Sequence, residues 1–398
     1  MQEIETIWCV LTGCWMLLLS LRVFKFTRKL QFLRAVRVKE ELAWPKISLI
    51  VPACNEAQTI ASAAQSLLSM DYPNLELIVV DDRSTDDTQK VVRALAEKDA
   101  RIKAVRVELL PEGWLGKVHA LHQGVRAASG EWLLFSDADV HYRKESLKKA
   151  MSFCNDEKLD FLSVTPSIIG GTFTLRMIVA HFLHWATLSI DLERVSDPRY
   201  KDALGGGAFN LVRRSSYESS GGLEWIKMDV IDDVGLAYTL KQSKAKLGVL
   251  SGLDEIELEW YPNFWAFVKG IEKNGFAATQ YSVLLLSVFI LGVLMIFLGF
   301  TLMPLVAGQL WVEVFVWGSL VWYLAMTARS LNSMMQVSPV VILFFPILFV
   351  VMPLVFIRSA VKCLRQKGIY WRGTFYPLAA LRAGQRLKIT EILLNSKF

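Results

Sequence analysis

Cysteine is scarce in this chain and follows no pattern. There are five in 398 residues (Cys9, Cys14, Cys54, Cys154 and Cys363). None has the spacing of a metal site and the number is odd, so no disulfide framework is indicated and the main domain reads as one built for a reducing compartment. An excess of one charge is also missing. A net charge of +6 at this length argues against bulk nucleic-acid binding. The apolar N-terminal run, residues 6–24, lacks a basic leading segment and a small-residue cleavage site. That favours a retained anchor over a signal peptide.

Apolar residues are abundant, at 53% of the chain, and they gather at the N-terminus and in the last third. Residues 6–24 are long enough to cross a bilayer. Arg22, Lys25, Arg28, Lys29, Arg34, Arg37 and Lys39 follow at once, and the positive-inside rule then places the next domain in the cytoplasm. Further spans are expected over 281–300, 310–326 and 339–357, with an uncharged external connector near Gly308. Three full spans leave the C-terminus outside, whereas Arg358, Lys362, Arg365, Lys367 and Arg372 argue that it is inside. A broken or re-entrant last segment, interrupted by Pro346 and Pro353, reconciles the two. The expected organisation is an anchor (1–28), a cytoplasmic α/β domain (40–275), a membrane region (279–358) and a basic tail (359–398). Residues 173–192 read as an amphipathic helix, interfacial or packed within the domain. Leu175, Ile178, Val179, Phe182 and Trp185 share one face, and His181, His184 and Asp191 the polar one.

Between 47 and about 165, strand and helix signals alternate. Strands are expected at 47–51, 75–80, 102–107 and 131–135, and helices at 57–70, 86–98 (with Asp86 as N-cap) and 118–129. This order implies a mostly parallel sheet covered by helices, and such sheets bind ligands beyond the carboxyl ends of their strands. Asn55 and Glu56, Asp81 and Asp82, and Asp137 and Asp139 all fall there. A row of carboxylates at one sheet edge repels itself unless cations or donors offset it. Asp137-Ala-Asp139, just past an apolar strand, can hold a divalent cation through oxygen ligands. The same triplet, met alone, is also an ordinary helix-capping turn.

Val51-Pro-Ala-Cys-Asn-Glu56, Val79-Val-Asp-Asp-Arg-Ser-Thr-Asp86 and Asp137-Ala-Asp139 together resemble the family 2 glycosyltransferases of GT-A fold, over roughly residues 46–275. Gly113-Trp-Leu-Gly-Lys117 resembles the subgroup linked to carotenoid and hopanoid glycosylation. The resemblance implies that Glu56 and Asp82 line a nucleoside pocket, with Asp82 near the base and Asp137 near the ribose. It implies that Lys117 approaches the donor phosphates, where a lysine acts as a point charge. It also implies that Asp139 ligates Mg²⁺ or Mn²⁺. Ile231-Asp-Asp-Val-Gly235 is similar to the family's acidic pair, with Asp232 beside the substrate and Asp233 as general base; capping of the following helix is the structural alternative. Gly205-Gly-Gly207 fits a close backbone approach to a ligand, or a plain turn.

In one respect the chain departs from the family pattern. The Gln-X-X-Arg-Trp motif of processive members is absent between Leu240 and Thr279. That argues against a polymer-extruding synthase and leaves open which groups close over the donor. Trp371-Arg372-Gly373 is a candidate if it returns to the cytoplasmic face. The activity implied is inverting transfer from a nucleotide-diphosphate sugar, UDP-linked, to a hydroxyl of a membrane lipid such as a carotenoid, hopanoid or glycerolipid. The protein is then expected to be multi-pass in the cell membrane, without a nucleic-acid partner. The rivals are a polyprenyl-phosphate sugar transferase, with arginines near Arg213 as its acceptor site, and a non-catalytic nucleotide-binding scaffold.

Overall fold

The computed structural model describes residues 2–306, 309–334, 340, 342, 345–394 and 397. They form two compact units. One contains Gln31–Ile169, Leu192–Trp260 and Cys363–Phe398; the other contains Met1–Leu30, Gly170–Asp191 and Tyr261–Lys362.

The first unit is built on a nine-stranded sheet. Its strands in chain order are β1 (Gln31–Phe32), β2 (Ile47–Ala53), β3 (Leu75–Asp82), β4 (Ile102–Val107) and β5 (Trp132–Phe135), then β6 (Val140–Tyr142), β7 (Phe161–Ile168), β8 (Asn210–Arg213) and β9 (Leu247–Leu258). The spatial order is β1-β9-β7-β8-β5-β2-β3-β4, with β6 on β9. The β5-β2-β3-β4 half is parallel throughout. The single strand β8 runs antiparallel to both of its neighbours. All residues of β2, β3 and β5 are buried, as expected when helices cover both faces of a parallel sheet. This is why those strands were readable as continuous apolar runs.

The helices between them start within two or three residues of where the sequence places them: Ile60–Leu68, Thr88–Lys98 and Gly116–Ala127. Asp86 is not itself the N-cap. Asp87 occupies that position without a side-chain cap bond, and the Asp86 carboxylate accepts the Thr88 N–H at 3.0 Å from one residue further back.

Residues 363–398 fold onto this unit rather than extending as a tail. Gly368–Trp371 (β10) and Thr374–Pro377 (β11) form an antiparallel hairpin. Arg372 and Gly373 are its turn, both at positive φ, the geometry that a two-residue hairpin loop requires. The domain is therefore discontinuous, where the sequence reads as one block over 40–275. The C-terminal hairpin belongs to the same unit as the sheet.

The second unit is helical. Gln2–Lys29 packs against Leu310–Met334. Trp15 stacks on Trp185 at 6.4 Å and on Tyr323 at 5.7 Å. Two helices, Glu5–Lys29 and Leu310–Asn332, are long and apolar enough to cross a membrane. Phe264–Ala278 and Val283–Leu298 pass that test only together, bent by 112°. Phe345–Gln366, with Pro353 inside it, is not among the candidates in the described residues. The expected connector at Gly308 and the start of the 339–357 span lie outside the described residues.

The helix Phe173–Leu188 belongs to this unit, and it corrects one reading. His181 and His184 are not on an exposed polar face; both are buried. The helix packs against Gln2–Lys29, Leu310–Met334 and Phe264–Ala278, and the histidines lie among these helices while Phe173, Thr174 and Arg176 at its start are exposed. Asp191, just beyond it, is buried and pairs with Lys25 at 2.6 Å.

Candidate active site

Three consecutive strands end in polar residues at one edge of the sheet. After β5, the chain turns through Ser136 and Asp137. The Asp137 N–H donates to the Gly207 carbonyl at 3.0 Å. The Tyr142 hydroxyl, buried, donates to the Ala208 carbonyl at 2.6 Å and lies 2.7 Å from the Ser136 hydroxyl. The aspartate turn and the glycine-rich segment are thus tied together before any ligand arrives.

The glycines have a steric reason. A Cβ on Gly207 would sit 2.4 Å from Asp137 Oδ2, and one on Gly205 would sit 2.1 Å from the Asp233 carbonyl oxygen. Both acidic motifs therefore press against the same backbone, which only residues without a side chain permit. Gly207→Ala is expected to displace Asp137 and cut activity by about 10- to 100-fold, because small misplacements of a catalytic constellation are costly. Steady-state kinetics would check this, and a variant within twofold of the parent would mean that the placement of Asp137 is not limiting.

At the centre is Lys117, the second residue of the Gly116–Ala127 helix. Its Nζ lies 2.9 Å from Asp137 Oδ1 and 3.4 Å from Asp232 Oδ2. Burial alone would lower the ammonium, but the charges of Asp137, Asp232 and Asp233 outweigh it and hold the group raised. Lys117 is thus a cation held among carboxylates rather than a lysine in open solvent.

One cavity is lined by Lys117, Asp137, Gly207, Asn210, Asp232 and Asp233, with Leu121, Leu223 and Leu236 closing it. Asp232 and Asp233 open the Asp232–Gln242 helix, and neither caps it from the N-cap position, which is Ile231. Asp233 Oδ1 accepts its neighbour Val234's N–H at 2.8 Å. Burial, and then the charge of Asp232, push the Asp233 carboxyl above the ordinary carboxylate range.

Asp139, Glu56 and Asp82 do not line that cavity. Asp139 is open to solvent. The protein around it, and then the charges of Asp137 and Glu56, push its carboxyl up to about 6. This crowding of like charges is what a cation would relieve. No group of three potential ligands occurs among the described residues, so the chain does not form a complete cage. The oxygen chemistry of Asp137 and Asp139 is of the kind that a hard divalent ion takes.

Asp82 is buried at the end of β3, where Arg83 grips it with bonds of 2.8 and 3.2 Å. It reaches the rest of the site through Gly116, whose Cβ would lie 2.7 Å from Asp82 Oδ2. Sequence reasoning did not single out Arg83 or Gly116 by itself. Asn55, at positive φ, accepts from the Thr85 N–H at 2.9 Å, and Glu56 accepts from the Thr59 hydroxyl at 2.7 Å.

Arg213 and Arg214 lie elsewhere. Arg213 pairs in register with Trp132, the first residue of β5, and its guanidinium covers that indole at 4.6 Å. Arg214 donates to the Gly130 carbonyl at 2.7 Å. Both are thus at the opposite end of β5 from Asp137.

A mixed, mostly parallel sheet with carboxylates at its strand ends is the architecture of the GT-A fold. Residues 48–221 match the family model for glycosyl transferase family 2, so the chain carries a domain of that family. The solved mannosyltransferase from Pyrobaculum calidifontis, in complex with GDP-Man and Mn²⁺, superposes with a TM-score of 0.54 at 20% identity. The match covers 91% of this chain and 99% of that one, and it supports the fold. A beta-monoglucosyldiacylglycerol synthase of Nostoc is 29% identical over 209 residues, 50% of this chain and 42% of the relative. A 4,4'-diaponeurosporenoate glycosyltransferase of Staphylococcus aureus is 24% identical over 343 residues, 84% of this chain and 88% of the relative. The chain thus spans less than half the length of the first of these relatives.

Proposed function

We propose that this protein is an inverting glycosyltransferase that moves a sugar from a nucleotide-diphosphate donor, UDP-linked, to a hydroxyl of a membrane lipid. The observation that carries the reading is Lys117 held between Asp137 and the Asp232–Asp233 pair in one cavity. Asp233 takes the proton of the acceptor hydroxyl as its oxygen bonds to the anomeric carbon, and the bond from that carbon to the diphosphate oxygen breaks. Lys117 faces the charge that develops on the leaving diphosphate. A Mg²⁺ or Mn²⁺ ion held by Asp137 and Asp139 supplies further charge neutralisation there when bound.

The lipid acceptor is supported by the apolar helices that flank the domain and by the names of the relatives, which act on diacylglycerol and carotenoid lipids. The positive-inside rule favours a cytoplasmic domain in a multi-pass membrane protein. The polyprenyl-phosphate alternative loses its proposed acceptor site, because Arg213 and Arg214 are engaged at the far end of β5.

The test is a donor screen with the purified full-length chain in lipid, with products identified by mass. UDP-hexose together with a diacylglycerol or hydroxylated isoprenoid is expected to yield the acceptor plus one hexose. A product formed only on polyprenyl phosphate, or UDP binding without transfer to any lipid, overturns the reading.

A further inference from the structure

The family motifs leave the C-terminal hairpin unassigned, and it contacts Arg83 and the start of the helix that carries Lys117. Tyr376 in β11 is buried, and its hydroxyl accepts the Gly116 N–H at 2.9 Å across 260 positions of sequence. Gly116 is the first residue of the helix that carries Lys117. That helix has Leu115 at its N-cap and no side-chain cap of its own. A helix start leaves its first N–H groups without partners, and Tyr376 supplies from the hairpin the acceptor that Leu115 lacks. Two residues earlier in β11, the Thr374 hydroxyl accepts from Arg83 Nη1 at 3.2 Å, and Arg83 uses its other nitrogens to grip Asp82. The hairpin therefore touches both the arginine that grips Asp82 and the helix start before Lys117.

Its tip is Arg372, exposed and adjacent to the Trp371–Thr374 pair. The charge of Arg372 is felt by Cys54 at the end of β2, where it opposes the burial that pushes that thiol up. The hairpin is not a loose appendage. Leu378 N–H donates to the Lys367 carbonyl at 2.8 Å across its base. Downstream, the buried Asp229 carboxylate accepts the backbone N–H of Arg386 at 3.0 Å and that of Leu387 at 3.3 Å.

We propose that the hairpin Gly368–Pro377 completes the nucleotide site, with Tyr376 as a positioning residue for Lys117 and Arg372 as a guanidinium that covers the nucleoside. This rests on the nucleotide-sugar reading above. It assigns to a segment beyond the membrane region the closing role that processive relatives give to a motif this chain lacks. A guanidinium plane suits stacking on a base. A lysine suits phosphate, and its reach depends on the register of the helix that carries it.

The two limbs separate in a binding experiment on the full-length chain in detergent with Mn²⁺, using UDP and uridine as probes, or GDP and guanosine if those bind more tightly. Arg372→Ala is expected to weaken nucleotide and nucleoside alike, by about tenfold. Tyr376→Phe leaves the Gly116 N–H without its acceptor and is expected to weaken the nucleotide by about fivefold while leaving the nucleoside within twofold. A merely structural role for Tyr376 would weaken both probes together. Melting curves separate loss of fold from loss of the site, and Arg372→Ala, at an exposed turn, keeps the test open if Tyr376→Phe unfolds. Unchanged affinity in Arg372→Ala, or equal losses for both probes in Tyr376→Phe, overturns the proposal. A parent protein that binds neither nucleotide overturns the glycosyltransferase reading instead.

Discussion

Asp233→Asn is expected to lower transfer by about 10²- to 10⁴-fold, the usual worth of a positioned general base, while nucleotide binding stays near that of the parent. The amide preserves shape and still accepts the Val234 N–H that holds Asp233 Oδ1 at 2.8 Å. It cannot take up the acceptor's proton. The parent protein carries the complementary signature. Burial and the Asp232 charge raise the Asp233 carboxyl, and the base must be ionised to work. Activity should therefore fall on the acid side at a pH above the ordinary carboxylate range near 4. Asp232→Asn removes the larger of the two charges that raise it, the other being Asp137, so in that variant the acid limb of kcat should move to lower pH. A full pH–rate profile of the three proteins decides the matter. An Asp233→Asn variant with ordinary turnover, or an acid limb that ignores Asp232, would remove Asp233 from the role.

The same residues show what a sequence reveals and what it conceals. Three strands of the parallel half, β2, β3 and β5, were legible because each is buried on both faces and so reads as a mostly apolar run, whereas the edge strand β4 is only partly buried. The strand-end acids were legible for a related reason: hydrophobicity stops abruptly where the sheet opens to ligand. Other parts depended on partners far away in sequence. Gly205-Gly-Gly207 read equally well as a turn. Its meaning came from Asp137 and Asp233, which lie 2.4 and 2.1 Å from where side chains would start on Gly207 and Gly205. His181 and His184 read as a polar face because a helical wheel does not know that three other helices surround it.

Arg83 was hidden because its role depends on Asp82 next door and on Thr374 almost three hundred residues on. The hairpin that carries Thr374 and Tyr376 did leave a local signal. Arg372-Gly373 stands between two short aromatic runs, a two-residue turn between strands. Four-residue strands are too brief to stand out beside a membrane segment.

The second large effect is expected from Lys117→Met. This substitution keeps much of the side chain's length and removes the cation that, among the described residues, answers Asp137, Asp232 and Asp233. Breaking a buried charge cluster from one side leaves its carboxylates uncompensated, typically at a cost of about 3–5 kcal/mol. Part of that cost is relieved by protonation, and this makes the effect depend on pH. Lys117 lowers the carboxyls of both Asp139 and Asp233, so its loss raises both further above their unfolded values near 4. A group whose folded pKa is raised stabilises the fold fully below the unfolded pKa, and that contribution is lost as pH rises through the folded one. The deficit of Lys117→Met relative to the parent should thus be small at pH 4 and grow between pH 4 and the folded values, beyond the value of about 6 that Asp139 already has. Thermal melts of both proteins at pH 5 and pH 8 measure this directly. The gap should be wider at pH 8, and UDP binding should be lost at either pH, since the charge that faces the diphosphate is gone. A gap that does not change with pH would mean that Lys117 is not the counter-charge of this cluster. Retained binding would mean that the phosphates sit elsewhere.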